Sequence, residues 1–203
     1  MKIVAISDTH NKHKNITIPE GDVIVHAGDI SSMGYKHEVI HFFEWFSKLP
    51  HTHKILIAGN HDFFFQLPES IVKEILPQNI TYLYDEEVII DGIKFWGSPY
   101  TPIFGSWAFM ESRPELEERW KNIPNDVNVL ITHGPPYGIL DYEIGDKELK
   151  NRLMTIPTNP KAHIFGHIHE GYGIDTKGVT KFINASILNE KYEVVNQPII
   201  IEI

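Results

Sequence analysis

The sequence predicts an α/β fold whose reactive side chains gather at one edge of a sheet. Three observations lead to this prediction: short apolar runs alternate with helical patterns, five of the runs end in Asp, Asn or His, and a hairpin signal separates two later strands. Fully apolar runs of this length are typical of buried strands in α/β sheets. The 203 residues fit one domain that spans positions 1–203.

The run 55–58 illustrates the pattern, because Gly59, Asn60, His61 and Asp62 follow it at once. Taken alone, these four residues could also form an ordinary turn. Four other apolar runs lead in the same way to polar residues, namely Asp8 and His10, Gly28 and Asp29, His133, and His167 and His169. Ligands in open α/β sheets bind outside the carboxyl ends of the strands, so five such ends at one edge would bring these groups into one site.

The remaining elements follow from periodicity and turn residues. Strands are expected at 2–7, 22–27, 54–58, 80–84, 87–91, 93–97, 127–132, 163–165, 180–184 and 198–203. Helices are expected at 35–48, 68–76, 114–121 and 146–154. Asp91-Gly92 between two of the strands is a strong hairpin signal, so the later part of the sheet is expected to be partly antiparallel.

The segment 99–114 is the least regular part of the chain, and it is longer than most connecting loops. Its notable side chains are Tyr100, Phe104, Trp107, Phe109 and Arg113. Tyr100, Trp107 and Phe109 could form a wall that stacks on a substrate ring, with Arg113 near an anionic group. Alternatively, the aromatic side chains anchor the segment onto the core.

Composition limits the possible functions. Hydrophobic residues make up 42% and charged residues 22% of the chain, which is ordinary for a globular protein. The formal net charge of −9 argues against binding to long nucleic acid, which needs a basic surface. The chain contains no cysteine, so any metal site must use nitrogen and oxygen ligands. Without a leader or a long apolar run, a cytoplasmic protein that makes no membrane contact is expected.

The twelve histidines fall into three groups. Five follow strand ends beside Gly, Asp or Asn, and these are the candidates for chemistry: His10, His61, His133, His167 and His169. His26 and His163 lie within apolar runs and are expected to be hydrogen-bonded core residues. The others lie in polar or helical surroundings and are expected to face solvent: His13, His37, His41, His51 and His53.

Seven side chains are candidate metal ligands: Asp8, His10, Asp29, Asn60, His133, His167 and His169. Seven groups are too many for one ion but suit two. Their mixture of oxygens and imidazoles favours Mn, Fe, Zn or Ni over Ca or Mg, and Mn is the expected metal. Two ions about 3.5–4 Å apart form a clamp for in-line displacement at phosphorus. Asp29, isolated at its own strand end, is the natural bridge between them.

Five motifs occur along the chain in the order Asp8-x-His10, Gly28-Asp29, Gly59-Asn60-His61-Asp62, His133 and Gly166-His167-x-His169. In this order they resemble the calcineurin-like metallophosphoesterase superfamily. The stretches 57–61, 132–136, 169–173 and 183–186 are similar to its small stand-alone metallophosphoesterase-domain-containing phosphodiesterases. The resemblance implies a four-layer αββα architecture, in which two packed mixed sheets are flanked by helices.

The resemblance also implies a role for each candidate residue. One metal would be held by Asp8, His10, Asp29 and His169, and the second by Asp29, Asn60, His133 and His167. His61 would face the scissile phosphate and act on the leaving oxygen, while Asp62 would support the ligands. Some members of the subfamily carry Gly where His167 stands, so the imidazole here implies a complete two-metal site.

One stretch departs from the protein phosphatases of the superfamily. Ser32 and Met33 stand where those enzymes carry the Asp that orients the catalytic His and a phosphate-binding Arg. This departure argues against a protein phosphatase, and it leaves the partner of His61 unidentified.

The expected activity is hydrolysis of small phosphodiesters, above all 2′,3′- or 3′,5′-cyclic nucleotides, and the expected partner is such a nucleotide. A hydroxide shared by the two metals would attack in line, and His61 would protonate the leaving alkoxide. A diester carries one negative charge, which agrees with the few arginines near the motifs. Three alternatives stay open: a broad phosphomonoesterase with the same metals, a nuclease, and a catalytically silent scaffold on the same fold.

Overall fold

Thirteen strands and four α-helices form the protein, and the computed structural model describes every residue from Met1 to Ile203. The strands are β1 Lys2–Ile6, β2 Val23–Ala27, β3 His53–Ile57, β4 Thr81–Tyr82, β5 Glu86–Ile90, β6 Ile93–Ser98, β7 Thr101–Pro102, β8 Met110–Glu111, β9 Val129–Thr132, β10 Ala162–Phe165, β11 Gly173–Lys177, β12 Thr180–Asn184 and β13 Ile199–Glu202. The helices are α1 Lys36–Phe46, α2 Glu69–Ile75, α3 Arg113–Trp120 and α4 Lys147–Thr155. None of these helices has the length and apolar character that crossing a bilayer requires.

Two mixed sheets contain most of the strands. The first has the order β13-β1-β2-β3-β4, and the second has the order β11-β12-β10-β9-β6-β5. Neighbouring strands from β1 to β4 are parallel, as are those from β12 through β10 and β9 to β6. The strands β13, β5 and β11 pair antiparallel at sheet edges. Because the central strands are parallel, each sheet presents a row of carboxyl ends on one side.

Alternating side chains of the central strands fill three layers of core. On β1, Ile3 and Ala5 point into the layer between the sheets, whereas Val4 and Ile6 point outward. The outer face of the first sheet packs against α1, and the outer face of the second packs against α3 and α4. This arrangement confirms the expected architecture of packed mixed sheets flanked by helices.

The two sheets are joined at their carboxyl ends by the segments that follow β1 and β12. Ser7 N donates to Ala185 O at 2.9 Å, and Ile187 N donates to Ser7 O at 3.0 Å. Ser7 and Ser186 also form an isolated parallel bridge. Loops that leave the carboxyl ends of either sheet can therefore reach the same point.

The local predictions succeed for most elements, but they omit the short strands β7 and β8 and fail at further positions. The hairpin at Asp91-Gly92 forms with positive φ at both residues (48° and 77°), as a tight turn of this kind requires. β11 forms where no strand was expected, because it pairs along the edge of β12. The expectation that His13 and His51 face solvent is wrong, since both are buried. His13 lies in a single 3-10 turn and packs 5.0 Å from the Trp45 ring of α1.

The two core histidines are hydrogen-bonded as expected. His26 Nε2 lies 3.0 Å from Thr9 Oγ1, and His163 Nε2 lies 2.8 Å from Thr132 Oγ1. Burial lowers the pKa of both imidazoles to about 3, so both are neutral in the folded protein. They belong to the packed interior and leave the metal-ligand candidates as a separate group.

Candidate metal centre

Side chains from the ends of five strands converge where the two sheets are joined. They follow β1, β2, β3, β9 and β10 and are the ones expected to bind metal: Asp8, His10, Asp29, Asn60, His133, His167 and His169. Three overlapping groups hold one ligand atom of each member within 4.8 Å of the others: Asp8, His10 and His169; Asp8, Asp29 and His133; and His10, Asp29 and His61. Asn60 joins the second group, since its Oδ1 lies 2.9 Å from His133 Nε2. We call the seven ligand candidates the metal-ligand cluster.

The loops reach this arrangement through a left-handed backbone. Asp8, His10, Asp29 and His167 have φ between 37° and 68°. Such a conformation costs about 1–3 kcal/mol for each residue other than glycine. Backbone hydrogen bonds hold it in place, since Asp8 N donates to Gly28 O at 3.0 Å and His10 N donates to Asp29 O at 3.1 Å. The fold thus keeps four strained residues in the orientation that turns their side chains toward one point.

Two glycines allow the backbone to approach the carboxylates closely. A Cβ atom added at Gly59 would clash with Asp29 Oδ1, and one added at Gly166 would clash with Asp8 Oδ2. Any larger residue at either position would therefore displace a carboxylate of the metal-ligand cluster.

Four imidazoles share one hydrogen-bond pattern. The Nδ1 atoms contact backbone carbonyl oxygens: His10 with Ser31 at 3.1 Å, His61 with Ser32 at 2.7 Å, His133 with Ala27 at 2.9 Å and His169 with Asn189 at 2.9 Å. A carbonyl oxygen only accepts, so Nδ1 carries the hydrogen and Nε2 is the nitrogen left for a ligand. Metal-binding histidines are commonly oriented in this way.

The atoms that face one another in the cluster are mainly acceptors. His133 Nε2 lies 2.9 Å from Asn60 Oδ1 and 3.3 Å from Asp29 Oδ2. His10 Nε2 is buried without a hydrogen-bond partner, 3.6 Å from Asp29 Oδ2. Asp8 and Asp29 are both buried. Buried carboxylates facing imidazole lone pairs need positive charge between them, so this set of atoms fits divalent cations.

The pKa values show the same demand for positive charge. Burial opposes protonation of His133, but the charges of Asp29 and Asp8 outweigh it and raise its pKa to about 9. Burial also opposes protonation of His169, but hydrogen bonding and charge attraction to Asp8 raise its pKa to about 9. Burial lowers the pKa of His10 to about 4, which keeps this imidazole neutral. Divalent cations would compete with the protons of His133 and His169 for the same nitrogens.

His167 contacts the cluster differently from the other candidates. Its backbone N donates to both carboxylate oxygens of Asp8, at 3.1 and 3.0 Å. Its ring lies 4.9 Å from the His133 ring and 5.2 Å from the Phe104 ring, measured between centroids. It belongs to none of the three close groups. The His167 imidazole therefore lies at the margin of the cluster, in contact with the His133 ring.

His61 lies at the edge of the cluster and has a partner on each side. Its Nδ1 donates to Ser32 O, so the residue at the phosphatase Asp position orients the imidazole through its backbone carbonyl. The ring stacks on Trp107, with 4.2 Å between centroids and 28° between planes. Its backbone N donates to Asp29 Oδ1 at 2.8 Å. These contacts hold the ring in one orientation and leave Nε2 available.

Asp62 supports the loops without facing the cluster. Its buried carboxylate accepts from the backbone N of Ile30, Ser31 and Gly59 and from Ser31 Oγ, at 2.6 to 3.2 Å. Burial and the neighbouring charge of Asp29 raise its pKa to about 6, against the effect of these hydrogen bonds. Asp62 thereby ties the loop after β2 to the turn after β3.

A cavity of about 430 Å³ opens beside the cluster, and we call it the cluster cavity. Its lining includes ligand candidates, His61 and several apolar or aromatic side chains: His10, Asp29, Asn60, His167, His169, Pro102, Ile103, Phe104, Trp107, Ile144 and Tyr192. No lysine or arginine lines it.

Of the four residues expected to contact substrate, the cluster cavity contains only Trp107. Phe109 is buried in the core, and the Tyr100 ring packs 5.6 Å from it. The other face of Tyr100 is covered by the guanidinium of Arg119, 3.3 Å from the ring centroid. Arg113 lies in a neighbouring cavity. The aromatic residues thus divide, since Trp107 lies in the cavity whereas Tyr100 and Phe109 attach the segment to the core.

Two residues of the site were missed by the sequence-based prediction. Ser186 Oγ donates to Asp8 Oδ2 at 2.8 Å, and the Tyr192 ring lies 4.9 Å from the His10 ring. Ser186 lies in the stretch 183–186, which carries part of the family resemblance and was the available signal. Tyr192 lies outside every motif, so no signal in the sequence indicated it.

The αββα architecture and a cluster of carboxylates and imidazoles at the strand ends define a phosphoesterase of the metal-dependent class. The chain belongs to the calcineurin-like phosphoesterase family, whose family model matches residues 1–171. The family uses divalent metals, in agreement with the atoms that the cluster offers.

Curated relatives and a solved structure support this assignment. Metallophosphoesterase domain-containing protein 1 of Homo sapiens is 39% identical over 233 residues, covering 100% of this chain and 71% of the human protein. UPF0046 protein K07C11.7 of Caenorhabditis elegans is 40% identical over 216 residues, covering 98% of this chain and 74% of that protein. The crystal structure of TT1561 of Thermus thermophilus superposes with a TM-score of 0.65 at 16% identity, covering 90% of this chain and 88% of that one. This last similarity shows the fold alone.

Proposed function

We propose that the protein hydrolyses small phosphodiesters, above all 2′,3′- or 3′,5′-cyclic nucleotides, with two divalent metal ions. One observation carries the proposal. The carboxylates of Asp8 and Asp29 form groups with nearby histidine nitrogens in which the ligand atoms lie within 4.8 Å of one another. These groups lie beside a cavity that is lined by His61 and Trp107. Acceptor atoms, a candidate proton donor and an aromatic surface are thus next to one another. This combination supports phosphate ester hydrolysis better than a scaffold role.

The metal-ligand cluster would hold both ions, with Mn as the favoured metal. One ion would be held by Asp8, His10, Asp29 and His169, and the other by Asp29, Asn60, His133 and His167. Asp29 Oδ2 lies 3.6 Å from His10 Nε2 and 3.3 Å from His133 Nε2, which supports its role as the bridge. A pair of divalent cations, when bound, neutralises phosphate oxygens and makes water more acidic.

His61 would supply the proton for the departing oxygen. Its Nδ1 is committed to Ser32 O at 2.7 Å, so Nε2 is the atom that would carry the transferred proton. The stacked Trp107 ring keeps the imidazole plane fixed at the edge of the cavity. A positioned acid of this kind contributes about 10²–10⁴-fold to the rate.

The charge of the cluster cavity supports a diester substrate over a monoester. No lysine or arginine lines the cavity, and Met33 stands where the protein phosphatases carry arginine. A monoester dianion would bring a second negative charge into a cavity without a basic side chain, whereas a diester brings one. The net charge of −9 likewise argues against a nuclease that acts on long chains.

The test is a substrate panel with Mn-loaded protein. We expect turnover of bis(p-nitrophenyl) phosphate and of at least one cyclic adenosine monophosphate, with weaker turnover of p-nitrophenyl phosphate. A preference for the monoester would replace the proposed activity with a phosphomonoesterase. Salt-sensitive cleavage of long RNA or DNA would indicate a nuclease, and no turnover of any ester would indicate a scaffold.

A further inference from the structure

A second cavity of about 450 Å³ adjoins the cluster cavity. Both cavities are lined by the same connecting residues: Pro102, Ile103, Ile144, Gly145 and Asp146. The two cavities are therefore adjacent, and together we call them the groove, with a near end and a far end. The near end contains the metal-ligand cluster, and the far end contains Arg113, Lys147 and Tyr137.

Two segments of the chain form the walls of this groove. The segment 101–113 contains β7 and β8, which pair with each other. The segment 134–147 is closed by an isolated bridge between Pro136 and Asp146. Backbone pairing therefore orders part of each segment.

The middle of the groove is apolar on both walls. Ile103 contributes from one wall and Ile144 from the other, and these side chains are 59% and 67% exposed. Exposed apolar side chains inside a groove indicate a contact surface for a ligand. Two exposed isoleucines that line the same cavities offer an apolar surface to a flat ring such as a nucleobase.

The far end of the groove contains two basic side chains, and one of them, Lys147, lies over the Tyr137 ring at 4.7 Å from its centroid. Neither Arg113 nor Lys147 takes part in an ion pair. Three acids line this end. Glu111 forms an ion pair with Arg119, and Asp146 accepts backbone hydrogen bonds at the start of α4. Glu143 is the acid that remains without such a partner. Arg113 and Lys147 are thus two cations without an ion-pair partner, and they lie beside the carboxyl groups of Glu143 and Asp146.

We infer that the far end of the groove binds a second anionic group of the substrate. The substrate class is a linear phosphodiester that carries an additional phosphate, such as a dinucleotide phosphorylated at its 5′ or 3′ end. The scissile diester lies at the cluster, one ring lies between Ile103 and Ile144, and the terminal phosphate lies at Arg113 and Lys147. This inference rests on the proposed phosphodiesterase function and extends it from cyclic nucleotides to short linear ones.

The reaction remains a balanced hydrolysis. One water adds across one P–O bond, its OH group goes to phosphorus, and the departing ribose oxygen takes the proton. The phosphate stays on the other nucleoside, so the products are a nucleoside-type alcohol and a phosphate monoester. No oxidant, reductant or further reactant is needed.

The experiment compares the KM of ApA, pApA, ApAp and bis(p-nitrophenyl) phosphate for the Mn-loaded protein. We expect the KM of pApA or ApAp to be roughly tenfold below that of ApA, since two exposed cations each contribute a modest attraction. The double variant Arg113→Glu/Lys147→Glu should abolish this difference and leave ApA and bis(p-nitrophenyl) phosphate within about twofold. Equal KM values for ApA and both phosphorylated dinucleotides in the unchanged protein would overturn the inference.

A matched control separates the groove from general charge effects. Lys36→Glu/Lys48→Glu changes the net charge by the same amount at exposed residues in and beside α1, neither of which forms an ion pair or lines either cavity. This variant should retain the preference for the phosphorylated dinucleotide. Loss of the preference in both double variants would assign it to net charge and contradict the inference.

Calorimetric binding distinguishes this inference from the proposed function. With His61→Ala protein, in which we expect turnover to be slowed by at least about 10²-fold, pApA or ApAp should bind roughly tenfold more tightly than ApA, and Arg113→Glu/Lys147→Glu should remove that difference. If no ester is hydrolysed by the unchanged protein, the proposed function fails while this affinity difference still supports the anion site. Equal affinities overturn the site even if the diesterase activity is found.

Discussion

Replacing His61 with alanine tests whether the site separates proton transfer from metal binding. The His61 side chain makes one hydrogen bond, to Ser32 O, and one stack, on Trp107. The hydrogen bond contributes about 1 kcal/mol to stability and the stack about 1 kcal/mol. A loss of about 2 kcal/mol leaves a domain of ordinary stability folded. The variant is therefore suited to kinetic measurement.

The kinetic effect depends on the leaving group. A ribose alkoxide needs a proton as it departs, so kcat for 2′,3′-cyclic AMP should fall by about 10²–10⁴-fold, equal to about 3–5 kcal/mol of barrier. The p-nitrophenolate ion departs without a proton, so kcat for bis(p-nitrophenyl) phosphate should fall by less than about tenfold. The ratio of the two losses measures how much His61 acts on the leaving oxygen.

The assay combines steady-state kinetics with metal analysis of the Mn-loaded protein. His61→Ala should retain the metal content of the unchanged protein, while His133→Ala, which removes a proposed ligand, should lose metal. Equal loss of kcat on both substrates would refute the role in proton transfer. Loss of an ion from the His61 variant would make this residue a ligand.

The remaining predictions concern the bridge, the aromatic wall and acid stability. Asp29→Ala should empty both metal positions, because Asp29 Oδ2 lies between His10 and His133. If metal analysis finds one ion retained, Asp29 does not bridge the two ions. Trp107→Ala should raise KM for a purine cyclic nucleotide by roughly fivefold and lower kcat, because it removes a stacking surface of about 1 kcal/mol and frees the His61 ring. Steady-state kinetics giving the same KM change for bis(p-nitrophenyl) phosphate would indicate a loop anchor instead. Burial lowers the folded-state pKa of His163 to about 3, so between pH 6.5 and 3 the unfolded chain binds a proton that the folded protein refuses, and stability falls as the pH falls. His163→Gln should make this decline shallower by up to about 1.4 kcal/mol per pH unit, measured by urea unfolding between pH 6 and pH 4; an unchanged slope would mean that His163 is protonated in the folded state.

The strands and the positions of the ligand candidates could be predicted because both depend on local patterns. Apolar runs such as 55–58 are buried regardless of which element packs on them. The polar residues after them, such as Asp8 and Asn60, are at strand ends by their position in the chain. Short-range signals also predicted the hairpin at Asp91-Gly92, since the turn depends on two residues.

Features that depend on partners distant in the chain could not be predicted. Whether the 13–15 turn is exposed depends on α1, which covers His13. Tyr192 reaches the site because a turn after β12 brings it next to His10. The partner of His61 is a backbone carbonyl, and every residue has one, so its identity depends on geometry rather than residue type.

The sequence by itself determined the α/β class, the order of the strand-end motifs and the chemical types of the ligand candidates, because each is encoded within a few consecutive residues. Only the tertiary structure decided which of those groups face one another, since this depends on how two sheets are joined through the segments after β1 and β12. It also divided the segment 99–114, leaving Trp107 beside the catalytic candidate while Tyr100 and Phe109 pack inward. The groove lined by Arg113 and Lys147 likewise arises from two segments more than twenty residues apart in the chain, and no local pattern describes their contact.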